Sequence, residues 1–386
     1  MSVTAAQGFR AAGVTAGLKA SGTPDVAVVV NDGPRRAAAA VFTANRVAAA
    51  PVLWSRQAVS DGRADAVVLN SGGANAATGA PGFQDAHATA EHAAEALGVS
   101  SGDVLVCSTG LIGERLDRER LFAGVAAAAD ALSADGGEDA AVAIKTTDTV
   151  AKTAQARGEG FTVGGMAKGA GMLAPGMATM LCVITTDADV PAAVLDAALK
   201  DAVRTTFNRV DSDGCMSTND TVILLASGAA GVAPDPEAFA ATLHEVCADL
   251  SRQLVADAEG AAHDVAVRVH GAQTEDAAEA VARAVTRSNL FKAAIFGQDP
   301  NWGRVIAAVG TVPEEVAAFD PYALDVSFNG VQVCRASGVG EDRALVDLSA
   351  REVLVEVDLH AGDAEATVWT NDLTHDYVHE NSAYST

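Results

Sequence analysis

The stretch Gly164-Gly-Met-Ala-Lys-Gly-Ala-Gly-Met-Leu-Ala-Pro-Gly-Met-Ala-Thr-Met-Leu181 is the most unusual in the chain. Glycines surround a single lysine, Lys168, and read as a loop. Pro175-Gly176 favours a turn. Ala178 then precedes Thr179 at the head of the apolar, strand-like run Met180-Leu-Cys-Val-Ile184. A hydroxyl residue after a tight turn can attack the carbonyl before it, giving an N-to-O acyl shift and an ester that water hydrolyses. The new chain would begin at Thr179, and its α-amine, with an ordinary pKa of about 7.7–8.0, could serve as base for its own hydroxyl. On local chemistry alone the cleavage signal is weak, because Ala-Thr steps are common and a Gly-rich loop ending in a strand is more often structural. A phosphate cradle is weaker still, since no G-x-x-x-x-G-K-[ST] is present and the strand-to-helix context is missing.

Outward from this stretch, short β-branched runs alternate with Ala-rich segments of helical period. Residues 24–30, 66–70, 103–107, 161–163, 179–185, 221–226 and 264–270 are predicted strands. Residues 83–97, 118–132, 191–206, 236–258 and 275–288 are predicted helices, two of them opened by Pro191 and Pro236. The loop Ser133-Ala-Asp-Gly-Gly137 breaks the pattern. The C-terminal part is β-rich (323–328, 331–335, 354–360, 366–370), with His360-Ala-Gly-Asp363 predicted as a hairpin turn. The mixture points to a layered α/β or α+β architecture with several antiparallel pairs, not a simple βαβ series.

Among 386 residues, 49% are apolar and only 4% aromatic, which suits tightly packed layers rather than disorder. The formal charge of −24 argues against a nucleic-acid partner and favours small-molecule substrates. No apolar run reaches membrane-spanning length and the N-terminus lacks a signal-peptide core, so a cytoplasmic location is expected. The cysteines Cys107, Cys182, Cys215, Cys247 and Cys334 are odd in number and scattered. They read as small buried hydrophobes, without a disulfide framework or zinc knuckle.

The segment 167–181 resembles the signature of the ornithine acetyltransferase (glutamate N-acetyltransferase) family. The resemblance runs through nearly the whole chain: Val68-Leu-Asn-Ser-Gly-Gly-Ala-Asn75, Cys107-Ser-Thr-Gly-Leu-Ile-Gly113, Ile144-Lys-Thr-Thr-Asp-Thr149, Phe207-Asn-Arg-Val-Asp-Ser-Asp-Gly214, Ser217-Thr-Asn-Asp-Thr221, Asp299-Pro-Asn-Trp-Gly-Arg304 and Asn381-Ser-Ala-Tyr-Ser-Thr386. It implies a layered αββα sandwich resembling N-terminal-nucleophile hydrolases. It also implies self-cleavage between Ala178 and Thr179 into an α chain (1–178) and a β chain (179–386) that form one functional unit. Thr179 would be the nucleophile, carrying acetyl from N-acetylornithine to glutamate by a ping-pong route in arginine biosynthesis. Thr109 and Gly110 would form the oxyanion hole; Thr146, Lys168, Thr179, Glu259, Asn381 and Thr386 would contact substrate. The family pattern Gly-Glu-Gly-Ala-Thr-Lys stands here as Ala-Glu-Gly-Ala-Ala-His263, keeping Glu259 and changing its surroundings. No cofactor is implied, although acetyl-CoA is a candidate second donor, and the assembly would be an α₂β₂ heterotetramer.

Three competing readings remain at this stage. One is an autoprocessed aminopeptidase or amidase, with water as acceptor; another is an uncleaved binding protein. The third is a metal protein using His375 and His379 near Asp372, which is disfavoured because His375-Asp-Tyr-Val-His379 lacks the H-E-x-x-H glutamate.

Overall fold

A computed structural model describes residues 2–174 and 180–383. The chain divides into two compact units, the first made of residues up to 208 together with 215–257, the second of 209–214 together with 258 onward.

Among the described residues the first unit holds nine strands: β1 (Phe9–Val14), β2 (Val26–Asn31), β3 (Ala37–Phe42), β4 (Ala66–Asn70), β5 (Val104–Ser108), β6 (Lys152–Gly158), β7 (Phe161–Lys168), β8 (Leu181–Thr186) and β9 (Thr221–Ala226). Its helices are α1 (Ala50–Ala58), α2 (Gly79–Leu97), α3 (Arg118–Asp130), α4 (Gly137–Ala143), α5 (Ala192–Thr205) and α6 (Pro236–Ala256). One sheet has the order β1-β2-β4-β5 and the other β3-β9-β8-β7-β6. In both, antiparallel neighbours accompany a single parallel pair, β4 with β5 and β8 with β9.

Three cores separate four layers. Ala90 of α2 and Leu121 and Val125 of α3 pack on Val26, Val28 and Val106 of the first sheet. The opposite face of that sheet, through Val29, Leu69 and Leu105, meets Met166, Val183 and Ile223 of the second sheet. The outer face of the second sheet, with Ile184 and Leu224, is covered by Leu195 and Leu199 of α5 and by Phe239 and Leu250 of α6. The first unit is thus an αββα sandwich, the fold class expected. Strands buried on both faces read as continuous apolar runs, as in residues 66–70 and 221–226. Leu199 is fully buried between α5 and the sheet. Leu199→Ala is expected to destabilise this unit by about 2–5 kcal/mol, read as a lower urea midpoint at unchanged slope.

Lys168 does not lie within a glycine loop. Gly164 to Lys168 continue β7, paired with both β6 and β8. Close packing explains glycine there: a Cβ at Gly164 would lie 2.4 Å from the Ser2 carbonyl oxygen, and one at Gly165 3.0 Å from Leu250 Cδ1.

The second unit is a six-stranded sheet of order β13-β12-β11-β14-β10-β15. Its strands are β10 (Asp264–Ala272), β11 (Asp325–Phe328), β12 (Val331–Arg335), β13 (Gly338–Val339), β14 (Glu352–Asp358) and β15 (Ala364–Asn371). The helices α7 (Glu275–Thr286), α8 (Asn289–Phe296) and α9 (Trp302–Val309) bury their apolar stripes on this sheet through residues such as Val281, Phe291 and Val305, and α10 (His375–Ala383) follows β15. The predicted hairpin at 360–363 is corrected. β14 and β15 flank β10, one parallel and one antiparallel. The connection folds over the end of β10 instead, where Ala361 N–H donates to the Gly271 carbonyl. Hairpin turns of this sheet are at Asn329-Gly330, joining β11 to β12, and at Ala336-Ser337, joining β12 to β13.

Cys107, Cys182, Cys247 and Cys334 form no disulfide. All four are buried, and burial pushes the Cys107 thiol up to about 12. Cys215 departs from expectation: it sits outside the strands, in the segment before β9, and is exposed. No helix among the described residues is long and apolar enough to cross a membrane.

Candidate active site

Five of the motifs converge in the first unit. β4 and β5 run parallel, so the segments after Asn70 and Ser108 emerge side by side. Asn70 Nδ2 donates to Ser108 Oγ at 2.7 Å, and Thr109 N–H donates to the Asn70 carbonyl at 3.0 Å. Asn219 then ties three motifs together, its Nδ2 donating to the carbonyls of Ala74 at 2.6 Å and Ser108 at 2.7 Å. These bonds hold the Thr109-Gly110 turn on a rigid frame.

Thr109 has already given its backbone N–H to Asn70, so its hydroxyl and the Gly110 N–H are the donors left for a developing oxyanion. Gly110 adopts φ +129°, and a Cβ there would fall 2.9 Å from the Gly73 backbone, so no larger residue fits. Lys168, buried at the end of β7, donates to Thr109 Oγ1 at 3.4 Å. Two groups assigned to different roles are therefore neighbours.

Thr146 joins this cluster through Asp148. Thr146 N–H donates to Asp148 Oδ2 at 3.0 Å, Gly169 N–H to Oδ1 at 2.6 Å, and buried Lys152 to Oδ1 at 2.7 Å. Lys168 Nζ lies 4.0 Å from Oδ2. Burial alone would push the Asp148 carboxyl up, but Lys168, Lys152 and the Gly169 N–H outweigh it and hold it well below the usual carboxylate range. A second carboxyl, Asp220, accepts from the Met180 N–H at 3.0 Å, and its Oδ2 has no hydrogen-bond partner among the described residues. Burial pushes Asp220 well up, against the pull of that N–H and of Lys168. Sequence reasoning named neither carboxyl, although both lie inside the motifs 144–149 and 217–221. Thr179 itself, Ala178 and the Pro175-Gly176 turn lie outside the described residues, as does Thr386.

In the second unit Asn381 Nδ2 donates to Glu259 Oε2 at 3.0 Å, so these two expected substrate contacts meet. Glu259 is half-buried and lines a cavity of about 200 Å³ with Ser212, Asp213, Lys292, Asn371 and Asp372. Lys292, nearly fully buried, donates to the Ser212 carbonyl, and burial lowers its pKa. The His263 substitution beside Glu259 is built into the structure. Its Nδ1 faces Asp372 Oδ2 at 2.7 Å, its Nε2 faces the Leu348 carbonyl at 3.1 Å, and its N–H donates to Asp372 Oδ1 at 2.9 Å. Those bonds occupy Asp372, and the His375 ring sits edge-on against Phe296 with centroids 5.4 Å apart. No group of three or more His, Cys, Asp or Glu among the described residues is arranged to hold a metal ion.

A Thr109-Gly110 turn and a buried lysine meet at the strand ends of an αββα sandwich, an arrangement chemically able to serve acyl transfer. The ArgJ family model matches residues 10–386, and the chain belongs to that family. It is 64% identical to the arginine biosynthesis bifunctional protein ArgJ of Streptomyces coelicolor across 100% of both chains. The protein of the same name from Mycobacterium leprae is 56% identical over 99% of this chain and 95% of its own. Among solved structures, ornithine acetyltransferase complexed with ornithine from Mycobacterium tuberculosis is 52% identical over 47% of this chain and 96% of that chain, with a TM-score of 0.42.

Proposed function

We propose that this chain, an ArgJ-family enzyme of arginine biosynthesis, moves acetyl from N-acetylornithine to glutamate through an acetyl ester on Thr179. After cleavage before Thr179, its Oγ attacks the acetyl carbonyl while its own α-amine takes the proton. The Thr109 hydroxyl and Gly110 N–H hold the oxyanion. The intermediate collapses, the C–N bond breaks, and the proton returns to the departing amine of ornithine. Glutamate's α-amine then attacks the ester, forming N-acetylglutamate and restoring the Thr179 hydroxyl. Lys168 is the proposed partner of the substrate carboxylate and Thr146 a further substrate contact, with Glu259, Asn381 and Thr386 as the proposed contacts of the amino group. The observation that carries this reading is the contact of Lys168 with Thr109, which sets a carboxylate partner beside an oxyanion donor.

The relatives' description as bifunctional supports a second donor, and acetyl-CoA is the one we propose. An α₂β₂ assembly of two cut precursors in the cytoplasm completes the reading. Purified protein given N-acetylornithine and glutamate should yield N-acetylglutamate and ornithine in equal amounts. Release of acetate alone would mean water is the acceptor, as in an amidase, and no turnover would overturn the proposal. Glu259→Ala is expected to raise KM for N-acetylornithine about tenfold or more with kcat little changed, because uniform binding is lost; steady-state kinetics read the split.

A further inference from the structure

We propose that Asp148 is a positioning residue for Lys168, clamping the end of β7 and keeping the Lys168 ammonium charged and available to an incoming carboxylate. The proposal rests on the reading of Lys168 as the substrate's carboxylate partner.

The Asp148 side chain is fully buried and takes donors from three separate segments: Thr146 N–H in its own loop, Lys152 Nζ at the start of β6, and Gly169 N–H just past β7. The last bond fixes the backbone next to Lys168, while the carboxylate faces the Lys168 ammonium at 4.0 Å. Two buried lysines around one carboxylate would leave a net positive charge. Asp257, at the end of α6, removes the excess: it accepts from Lys152 and is itself held by the Thr149 N–H at 3.1 Å and the Thr149 hydroxyl. With Lys152 shared between two carboxylates, part of the Asp148 field falls on Lys168. At 4.0 Å the pair is near enough to keep the ammonium charged against burial, yet not locked in direct contact.

Lys19 and Asp220 are also ionisable groups within electrostatic reach of Lys168. Lys19, whose pKa is lowered by burial and by the nearby lysines, donates to the Lys145 carbonyl at 3.0 Å. Burial pushes Asp220 up, against the pull of the Met180 N–H, Ser217 and Lys168. Asp148 therefore supplies negative potential at the Lys168 ammonium.

The test is carbon-13 NMR of lysine-labelled full-length protein, with the Lys168 signal assigned through Lys168→Arg. In Asp148→Asn the Lys168 titration midpoint should fall by about one to three pH units, the range an opposite charge at this distance supports. Asp148→Glu should restore part of the shift. Asp257→Asn, which leaves Lys152 leaning wholly on Asp148, should move the midpoint in the same direction by less, and serves if Asp148→Asn does not fold. An unmoved midpoint in folded variants overturns the proposal. The alkaline limb of kcat/KM should fall with the midpoint in Asp148→Asn. A shifted midpoint with an unshifted limb would support the Asp148–Lys168 pairing while overturning the substrate role of Lys168.

Discussion

Thr179→Ala should run as one uncut chain of 386 residues and show no acetyl transfer, a loss on the order of 10⁴-fold or more. The size of the effect follows from the double use of one residue. Without the hydroxyl, no N-to-O shift can open the Ala178–Thr179 bond, and no free α-amine appears to act as base. Mass spectrometry of the wild-type protein should find two fragments, the second starting at Thr179. An intact wild-type chain that still transfers acetyl would refute the assignment.

The next largest effect is expected at Thr109. Its backbone N–H is already given to the Asn70 carbonyl, so the hydroxyl is the part of this residue able to meet an oxyanion. Thr109→Val keeps the shape and removes the donor. The rate of single-turnover acetylation, counted per cut chain, should drop about 10²–10³-fold with substrate affinity nearly unchanged. A drop of less than a few-fold would move the oxyanion hole elsewhere.

Much of this molecule is legible in local sequence, and the exceptions share a physical cause. The Asp235-Pro236 pair marks the start of α6 because helix N-termini favour an acceptor at the cap and proline in the first turn, and Pro191 stands one position earlier than expected, as the cap of α5. The four Ala residues that open β3 favour helix by propensity, yet pairing with β9 makes them a strand. Gly164 and Gly165 resemble a loop until their neighbours Ser2 and Leu250, distant in sequence, are placed. Strand order hid the true partners of β14 and β15, since turn residues report a change of direction but not which strand comes alongside. At the site, Thr109 and Lys168 were found through motifs, whereas Asp148 acquires its role only when Lys152 and Asp257, 105 positions apart, close around it. Charge on a loop is visible in sequence; the company it keeps is not.

The position of β8 inside its sheet has a consequence for maturation. It lies between β7, which precedes the proposed cut, and β9, which follows it, bonded to both. Scission there would free an end without freeing a piece: the two polypeptides would stay laced through one sheet. The proposed cut also implies an order of events. Residues 1–178 made alone would leave β7 without its β8 neighbour, so a cut there would need a precursor that is already folded. Activation would then be an irreversible step of a folded protein, and separately synthesised halves are expected to be a poor substitute for the cut precursor.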